Sequence, residues 1–170
     1  MATPPTAVTA HIVAQPSSIL PGIPPFVFAL PSGWVLDEAP GALALIRMPE
    51  EIDGFLINAI LSHDKVSRTV DFKEAASFTW SRLKEGCPDA ELGIEKFMEL
   101  NGFPMFLRTM EMSAPKSGRR LAQLQSIWFA PAKGMGKVVD FFQCVFTSPV
   151  EHVNAIAPQA LQFLASFKFV

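Results

Sequence analysis

Apolar and polar positions alternate along the chain in patterns that change from strand-like to helix-like and back. Apolar runs bounded by Pro and Gly predict strands at residues 26–30, 42–48 and 55–62. From residue 71 the apolar positions recur at helical spacing, and Asp71 with Glu74 forms a capping-box sequence. We therefore predict three strands and then a helix that ends near Gly86 and Pro88.

Behind this helix the pattern predicts an antiparallel meander. Apolar residues alternate with glutamates in the first segment, and Asn101-Gly102 is a strong hairpin signal at its end. Further turns at 116–118 and 134–136 separate three more apolar segments. These predicted strands span residues 92–100, 103–112, 120–129 and 137–147.

The C-terminal segment predicts a second helix. Ser148 is placed as its cap, Pro149 at the first helical position and Glu151 in the capping-box position. Pro158 lies inside the apolar stripe, so we expect it to kink or restart the helix. The complete order is β-β-β-α-β-β-β-β-α, which is typical of an α+β sandwich with a mainly antiparallel sheet.

Length and composition favour one domain preceded by an arm. With 170 residues, 49% of them hydrophobic and 18% charged, the chain can form a sizeable core and is not of the disordered class. Residues 1–25 carry six prolines and predict an extended or irregular arm, in which residues 11–13 can form a short edge strand. We place the single domain at residues 26–170.

Charge and cysteine content limit which kinds of binding partner and which cellular location the sequence favours. A net charge of −2 without a basic stripe argues against a nucleic-acid partner, and no apolar run is long enough to predict a membrane span. The start of the chain shows no signal-peptide pattern, so we expect a cytoplasmic protein unless a signal was removed from a secreted or lipoprotein form. Cys87 and Cys144 match no metal spacing and are not expected to form a disulfide.

A search for catalytic residues finds little. His63-Asp64 has the residue types of a base and its carboxylate, but a solvated turn is the more typical interpretation. The glycines at 134 and 136 before Lys137 lack phosphate-loop spacing and join two strands. We predict neither an enzyme nor a bound cofactor.

Large apolar side chains are the stronger functional indication. Fifteen Phe and no Tyr predict a core rich in phenylalanine, with an exposed apolar groove as the alternative. Two polar residues, Asn58 and Arg108, interrupt apolar strands, and each either holds the fold together or faces a cleft. The candidate binding residues are therefore Trp34, Asn58, Trp80, Arg108, Trp128 and Met135.

Several short motifs resemble the actinobacterial LpqN/LpqT family over about residues 26–170. They are Leu30-Pro31-Ser32-Gly33-Trp34, Asp53-Gly54-Phe55 leading to Asn58, Asn101-Gly102-Phe103-Pro104 and the closing Ser166-Phe167. The resemblance implies the PsbP-like α-β-α sandwich, a superfamily that includes a Ran-binding regulator and chaperone-like members. It also implies a binding or accessory role without a catalytic motif.

Two non-catalytic functions and one catalytic function remain open at this point. The first is an accessory protein that binds a protein or an apolar peptide, and the second is a carrier of a small apolar ligand or lipid in a sheet–helix cleft. An enzyme that uses His63 is the third. An open sheet edge also allows a homodimer by strand addition.

Overall fold

A seven-stranded sheet, antiparallel throughout, forms the centre of the fold. This computed structural model describes residues 12–15, 23–131 and 137–170, with residues 12–15 as backbone only. In spatial order the strands are β3 (Val35–Asp37), β4 (Ala44–Arg47), β5 (Asn58–Ser67), β9 (Val138–Pro149), β8 (Arg120–Phe129), β7 (Phe103–Ser113) and β6 (Glu91–Leu100). Strands β6 to β9 follow each other in sequence and in space, which confirms the predicted meander.

A helix covers each face of this sheet, and a small second sheet lies beside the C-terminal helix. Helix α1 (Phe72–Gly86) packs on one face, and α2 (Val153–Ser166) packs on the other. The small sheet consists of β1 (Ile12–Gln15), β2 (Phe26–Ala29) and β10 (Lys168–Phe169). This arrangement confirms the predicted α+β sandwich.

The predicted order misses short strands that depend on distant partners. Strand β3 has three residues and β10 has two, and each is defined by pairing rather than by an apolar run. The predicted short edge strand covers residues 11–13, of which residue 11 lies outside the described residues. In the structure, β1 begins at Ile12 and ends at Gln15. The third predicted strand is also shifted, because β5 begins at Asn58 after a tight turn at Asp53 and Gly54.

Helix α1 begins as its sequence predicts. The Asp71 carboxylate accepts hydrogen bonds from the backbone N–H of Lys73 at 2.7 Å and of Glu74 at 3.4 Å. Glu74 in turn accepts from the Asp71 N–H at 3.2 Å, so the capping box is complete.

The predicted start of helix α2 is wrong. Ser148 does not cap a helix, because it still belongs to β9, pairs with Ala122 of β8 and is buried. A 3₁₀ turn at Val150–His152 follows, and α2 begins only at Val153. Strand pairing therefore prevails over the local capping signal. The helix also continues through Pro158 without a restart.

Candidate functional site

A cleft of about 780 Å³ separates α2 from the half of the sheet formed by β6, β7 and β8. Its roof is one stripe of α2, whose members recur at helical spacing and are mostly aliphatic. They are Val153, Ile156, Ala157, Ala160 and Leu161. Neither this helix nor α1 is long and apolar enough to cross a bilayer.

The floor of the cleft follows from strand register. Leu107 and Thr109 of β7 lie opposite Ser126 and Leu124 of β8, so their side chains point to the same face of the sheet. The floor residues are Met98, Leu107, Thr109, Ala122, Leu124 and Phe146. Apolar side chains thus dominate both walls, which suits an apolar ligand.

Small side chains explain why this space stays open. Ala122 on β8 and Ala157 and Ala160 on α2 all line the cleft, and their short side chains leave space between the two walls. Further along α2 the same face of the sheet is filled by aromatic rings. Trp128 lies 4.8 Å from Phe167 by ring centroids, and the aromatic cluster closes the cleft at that end.

Acidic residues surround a single arginine at the opposite end. The Arg120 guanidinium lies 3.3 Å from Glu111, 3.6 Å from Asp89 and 3.7 Å from Glu91. Hydrogen bonds from the side chain and the backbone amide of Ser113 hold the pKa of Asp89 below its ordinary value. Three carboxylates around one guanidinium leave this end of the cleft negatively charged.

The structure places two of the predicted binding residues in the core. Trp34 is 4% exposed and donates a hydrogen bond from Nε1 to the Gln159 side chain at 2.6 Å. Trp128 is fully buried, and its Nε1 has no acceptor within the described residues. Both indoles therefore fill the interior instead of bordering the cleft.

Arg108 holds the opposite face of the sheet together. Its guanidinium donates to the Glu95 carboxylate at 2.8 Å, the Gln125 side chain at 2.9 Å and the Ala76 carbonyl at 2.9 Å. It also lies 5.4 Å from the ring of Trp80 on α1. Of the described candidates only Arg108 borders the cleft, yet its charged group is engaged beneath α1.

The remaining candidates are scattered. Asn58 begins β5 and donates from Nδ2 to the Leu56 carbonyl at 2.8 Å. Trp80 is half-buried on α1 and packs against the buried cluster of Ala90, Met110 and Met112. Met135 lies outside the described residues. The structure thus brings Trp80 and Arg108 into contact and places Trp34 and Trp128 in one core cluster, and a binding role for the six stays a prediction.

His63 contacts a different carboxylate from the one beside it in sequence. It lies within β5, and its Nε2 is 2.8 Å from Asp140 of β9, while Asp64 accepts from its neighbour Lys65. Asp140 is also 3.3 Å from the Lys65 ammonium. None of these side chains lines the cleft.

The cysteines and the metal-binding residue types show no organised site. Cys87 and Cys144 are both free thiols, and burial raises the pKa of Cys144 far above its ordinary value. In the ranges that the structure describes, no three His, Cys, Asp or Glu side chains are grouped to hold a metal.

Most cleft residues were not predicted as site residues. The sequence pattern does place Ala157, Ala160 and Leu161 on one stripe of α2, but such a stripe is equally typical of a filled core. The alanines were the available signal, because small residues facing one another leave space. Which strand residues face them depends on register between segments distant in sequence.

Comparison with known proteins finds similarity at the level of structure. No family model and no curated protein sequence matches the chain. The crystal structure of LpqN, involved in cell envelope biogenesis of Mycobacterium tuberculosis, matches with a TM-score of 0.74 at 17% identity. The match covers 94% of this chain and 92% of LpqN. This chain has the fold of LpqN.

Two further structures with this fold come from distant organisms. Cyanobacterial PsbP from Synechocystis matches with a TM-score of 0.62 at 12% identity, over 100% of this chain and 98% of that one. The Ran-binding protein Mog1p of Saccharomyces cerevisiae matches with a TM-score of 0.57 at 14% identity, over 96% and 97% of the two chains. The predicted resemblance is thereby confirmed for the fold, and an actinobacterial origin and a cytoplasmic location stay predictions.

Proposed function

We propose that this protein is a non-catalytic accessory protein that holds an apolar segment of a partner protein in the cleft between α2 and strands β6 to β8. The observation that carries this proposal is the cleft itself, with about 780 Å³ of space between mostly apolar walls. An open apolar cleft on a protein surface is typical of a binding site. Mog1p, a protein with the same fold, is a Ran-binding protein, which supports a protein as the partner.

The positions of the histidines support a role in binding over one in catalysis. The His63–Asp140 pair and the His152–Asp53 pair are the two His–carboxylate pairs of the described chain. Neither pair lines the cleft. A general base must lie within hydrogen-bond reach of its substrate, so a substrate in the cleft would be out of reach of both.

A small apolar ligand or lipid is the second candidate for the occupant. The volume of the cleft lies within the range of roughly 300–1,000 Å³ that is usual for small-molecule sites. Met98, Leu107 and Leu124 on its floor would contact an acyl chain, and Lys96 is a charged lining residue that could meet an acidic head group. Native mass spectrometry distinguishes this candidate, because a bound lipid adds its mass to the folded protein.

The proposal is tested by filling the cleft from α2. Ala157 lines the cleft and Ala155, two residues earlier, is exposed on the same helix, so A157F and A155F form a matched pair. We expect an apolar naphthalene-sulfonate dye to bind the wild type and A155F with similar affinity. A157F should bind it at least about tenfold more weakly, because the added ring occupies the space.

The same pair of variants identifies the type of occupant. A protein partner captured by the wild type and by A155F, and lost by A157F, supports an apolar protein segment. A lipid that is lost by A157F alone supports the carrier function instead. Equal dye binding by all three proteins, with A157F folded by circular dichroism, contradicts a binding role for the cleft.

A further inference from the structure

The two edges of the main sheet differ greatly in length. Strand β3 ends one edge with three residues, whereas β6 ends the other with ten, of which eight are exposed. In the described part of the chain β6 pairs with β7 alone, so its outer row of N–H and C=O groups faces outward. A long open edge is a template for an additional strand.

Apolar side chains accompany this open edge. On β6, Ile94 is 72% exposed and Phe97 is 49% exposed. Ile94 and Met98 line the cleft, whereas Phe97 lies on the opposite face against Phe72 and Phe106. A strand added beside β6 would therefore extend both the cleft and the aromatic face, since its side chains would alternate between them.

A β-bulge limits the usable length of the edge. The register of β6 on β7 shifts between Leu92 and Glu95. There the Ile94 N–H donates to Thr109 Oγ1 at 2.8 Å, and a Cβ on residue 93 would clash with that oxygen, which explains the glycine. Because bulges interrupt strand pairing, the regular part of the edge is residues 95–100.

Charge argues against a second copy of this chain as the added strand. Strand β6 carries Glu91, Glu95 and Glu99 against one basic residue, Lys96. Two copies paired antiparallel about Phe97 would place Glu95 of each opposite Glu99 of the other. Like charges directly opposite each other destabilise a strand pair.

The same charges on β6 predict which side chains the added strand of a partner would carry. Glu95 pairs with Arg108, and the Lys73 ammonium lies 6.0 Å from the Phe97 ring. Glu95 and Glu99 are both exposed, but Glu99 forms no ion pair with a described residue. A lysine or arginine on the added strand would meet Glu99 on the face of Phe97. Apolar residues at the alternate positions would meet the cleft face, where β6 presents Met98 and the side chain of Lys96.

We propose that residues 95–100 of β6 accept an extended segment of a partner protein as an eighth strand, with apolar side chains over the cleft and basic side chains toward Glu99. This mode of binding rests on the proposed function of the cleft and specifies the partner segment as basic on one side and apolar on the other. Backbone hydrogen bonds supply affinity in such complexes, and the alternating side chains supply selectivity.

Synthetic peptides test this inference directly. The probe is a short capped peptide of alternating lysine and valine, compared with a glutamate–valine peptide and with a lysine–valine peptide whose valine amides are N-methylated. We expect the first to bind and to slow amide hydrogen exchange at residues 95–100. N-methylation removes main-chain donors, so it should weaken binding at least about tenfold.

Charge reversal at the edge provides the second measurement. E99K should weaken binding of the lysine–valine peptide about fivefold and strengthen that of the glutamate–valine peptide. E51K changes the net charge equally at an exposed loop position outside β6 and should leave both affinities unchanged.

Three outcomes would overturn strand addition at β6. They are equal binding of the N-methylated peptide, equal effects of E51K and E99K, and a wild-type dimer in sedimentation that dissociates on F97D. If any of these occurs while the dye still distinguishes A157F from A155F, strand addition fails and the cleft proposal stands. If the dye test also fails, both proposals fail.

Discussion

The two faces of strands β6 to β8 carry opposite kinds of interface. Beneath α1 the contact is closed, with Phe106, Arg108 and Met110 each at most 2% exposed. Beneath α2 the same strands leave a cleft, with Leu107 and Leu124 only half-buried. The same strands thus have a closed face under α1 and an open face under α2. Because successive residues of a strand point to opposite faces, alternation assigns each side chain to one face or the other.

The chemistry of the two interfaces differs as well as their packing. The α1 face buries the Arg108 guanidinium, which donates hydrogen bonds to acceptors on two strands and a helix and so ties α1 to the sheet. The α2 face presents mostly aliphatic and small side chains to the cleft. Rigidity on one face is therefore combined with room for a ligand on the other.

The largest expected effect is the loss of Arg108. R108L leaves the Gln125 side-chain oxygen and the Glu95 carboxylate without their donor, and the Ala76 carbonyl keeps only the Thr79 hydroxyl as a side-chain donor, so we expect a loss of about 4 kcal/mol in the free energy of unfolding. Urea denaturation measures this. R82A, which breaks an exposed ion pair on α1, should cost less than about 0.5 kcal/mol. Equal effects of the two variants would contradict a sealing role for Arg108.

A pair of truncations on one strand compares the two faces directly. Met110 is buried beneath α1, and M110A should cost about 3 kcal/mol because it leaves a closed cavity. Leu107 lies three residues earlier and faces the cleft, so L107A should cost about 1 kcal/mol, since it only widens an open space. Both values come from urea midpoints. A larger loss for L107A than for M110A would show that the cleft is closed in solution.

The smallest effect concerns the pH dependence of the contact before α2. A hydrogen bond from the Arg119 side chain lowers the pKa of Glu151, which stabilises the fold while the carboxylate is charged. This stabilisation is present above the ordinary glutamate pKa of about 4.3 and is lost as the pH falls through the lowered value. The melting temperature of the wild type should therefore exceed that of E151Q above the ordinary pKa of glutamate. The two melting temperatures should converge once the pH falls below the lowered pKa of Glu151. A constant difference down to the lowest pH would exclude the pair as its cause.

Local signals predicted those elements whose causes lie within a few residues. The capping box at Asp71 and Glu74 and the turn at Asn101-Gly102 are both present, the latter with positive φ at both residues. The start of α2 was wrong because Ser148 has a strand partner 26 positions earlier, at Ala122, which no local pattern reveals. Short strands such as β10 were missed for the same reason.

The candidate site was less predictable than the fold. Arg108 was expected either to hold the fold or to face a cleft, and only its contacts with Gln125 and Ala76 show that its guanidinium is held beneath α1. Trp34 and Trp128 could be read as surface anchors, and their burial became visible only with the packed core. Side-chain exposure depends on neighbours from other segments, so single-residue chemistry could not decide it.

Local patterns were enough to predict the order of the meander, the start of α1 and a phenylalanine-rich interior, because spacing, capping and turn chemistry act over short distances. The packing of distant segments places the aromatic rings at one end of α2 and the alanines, with the cleft, at the other. It also makes β6 the long open edge of the sheet. Both depend on which distant strands pair and in which register, and that is set by the simultaneous burial of many side chains.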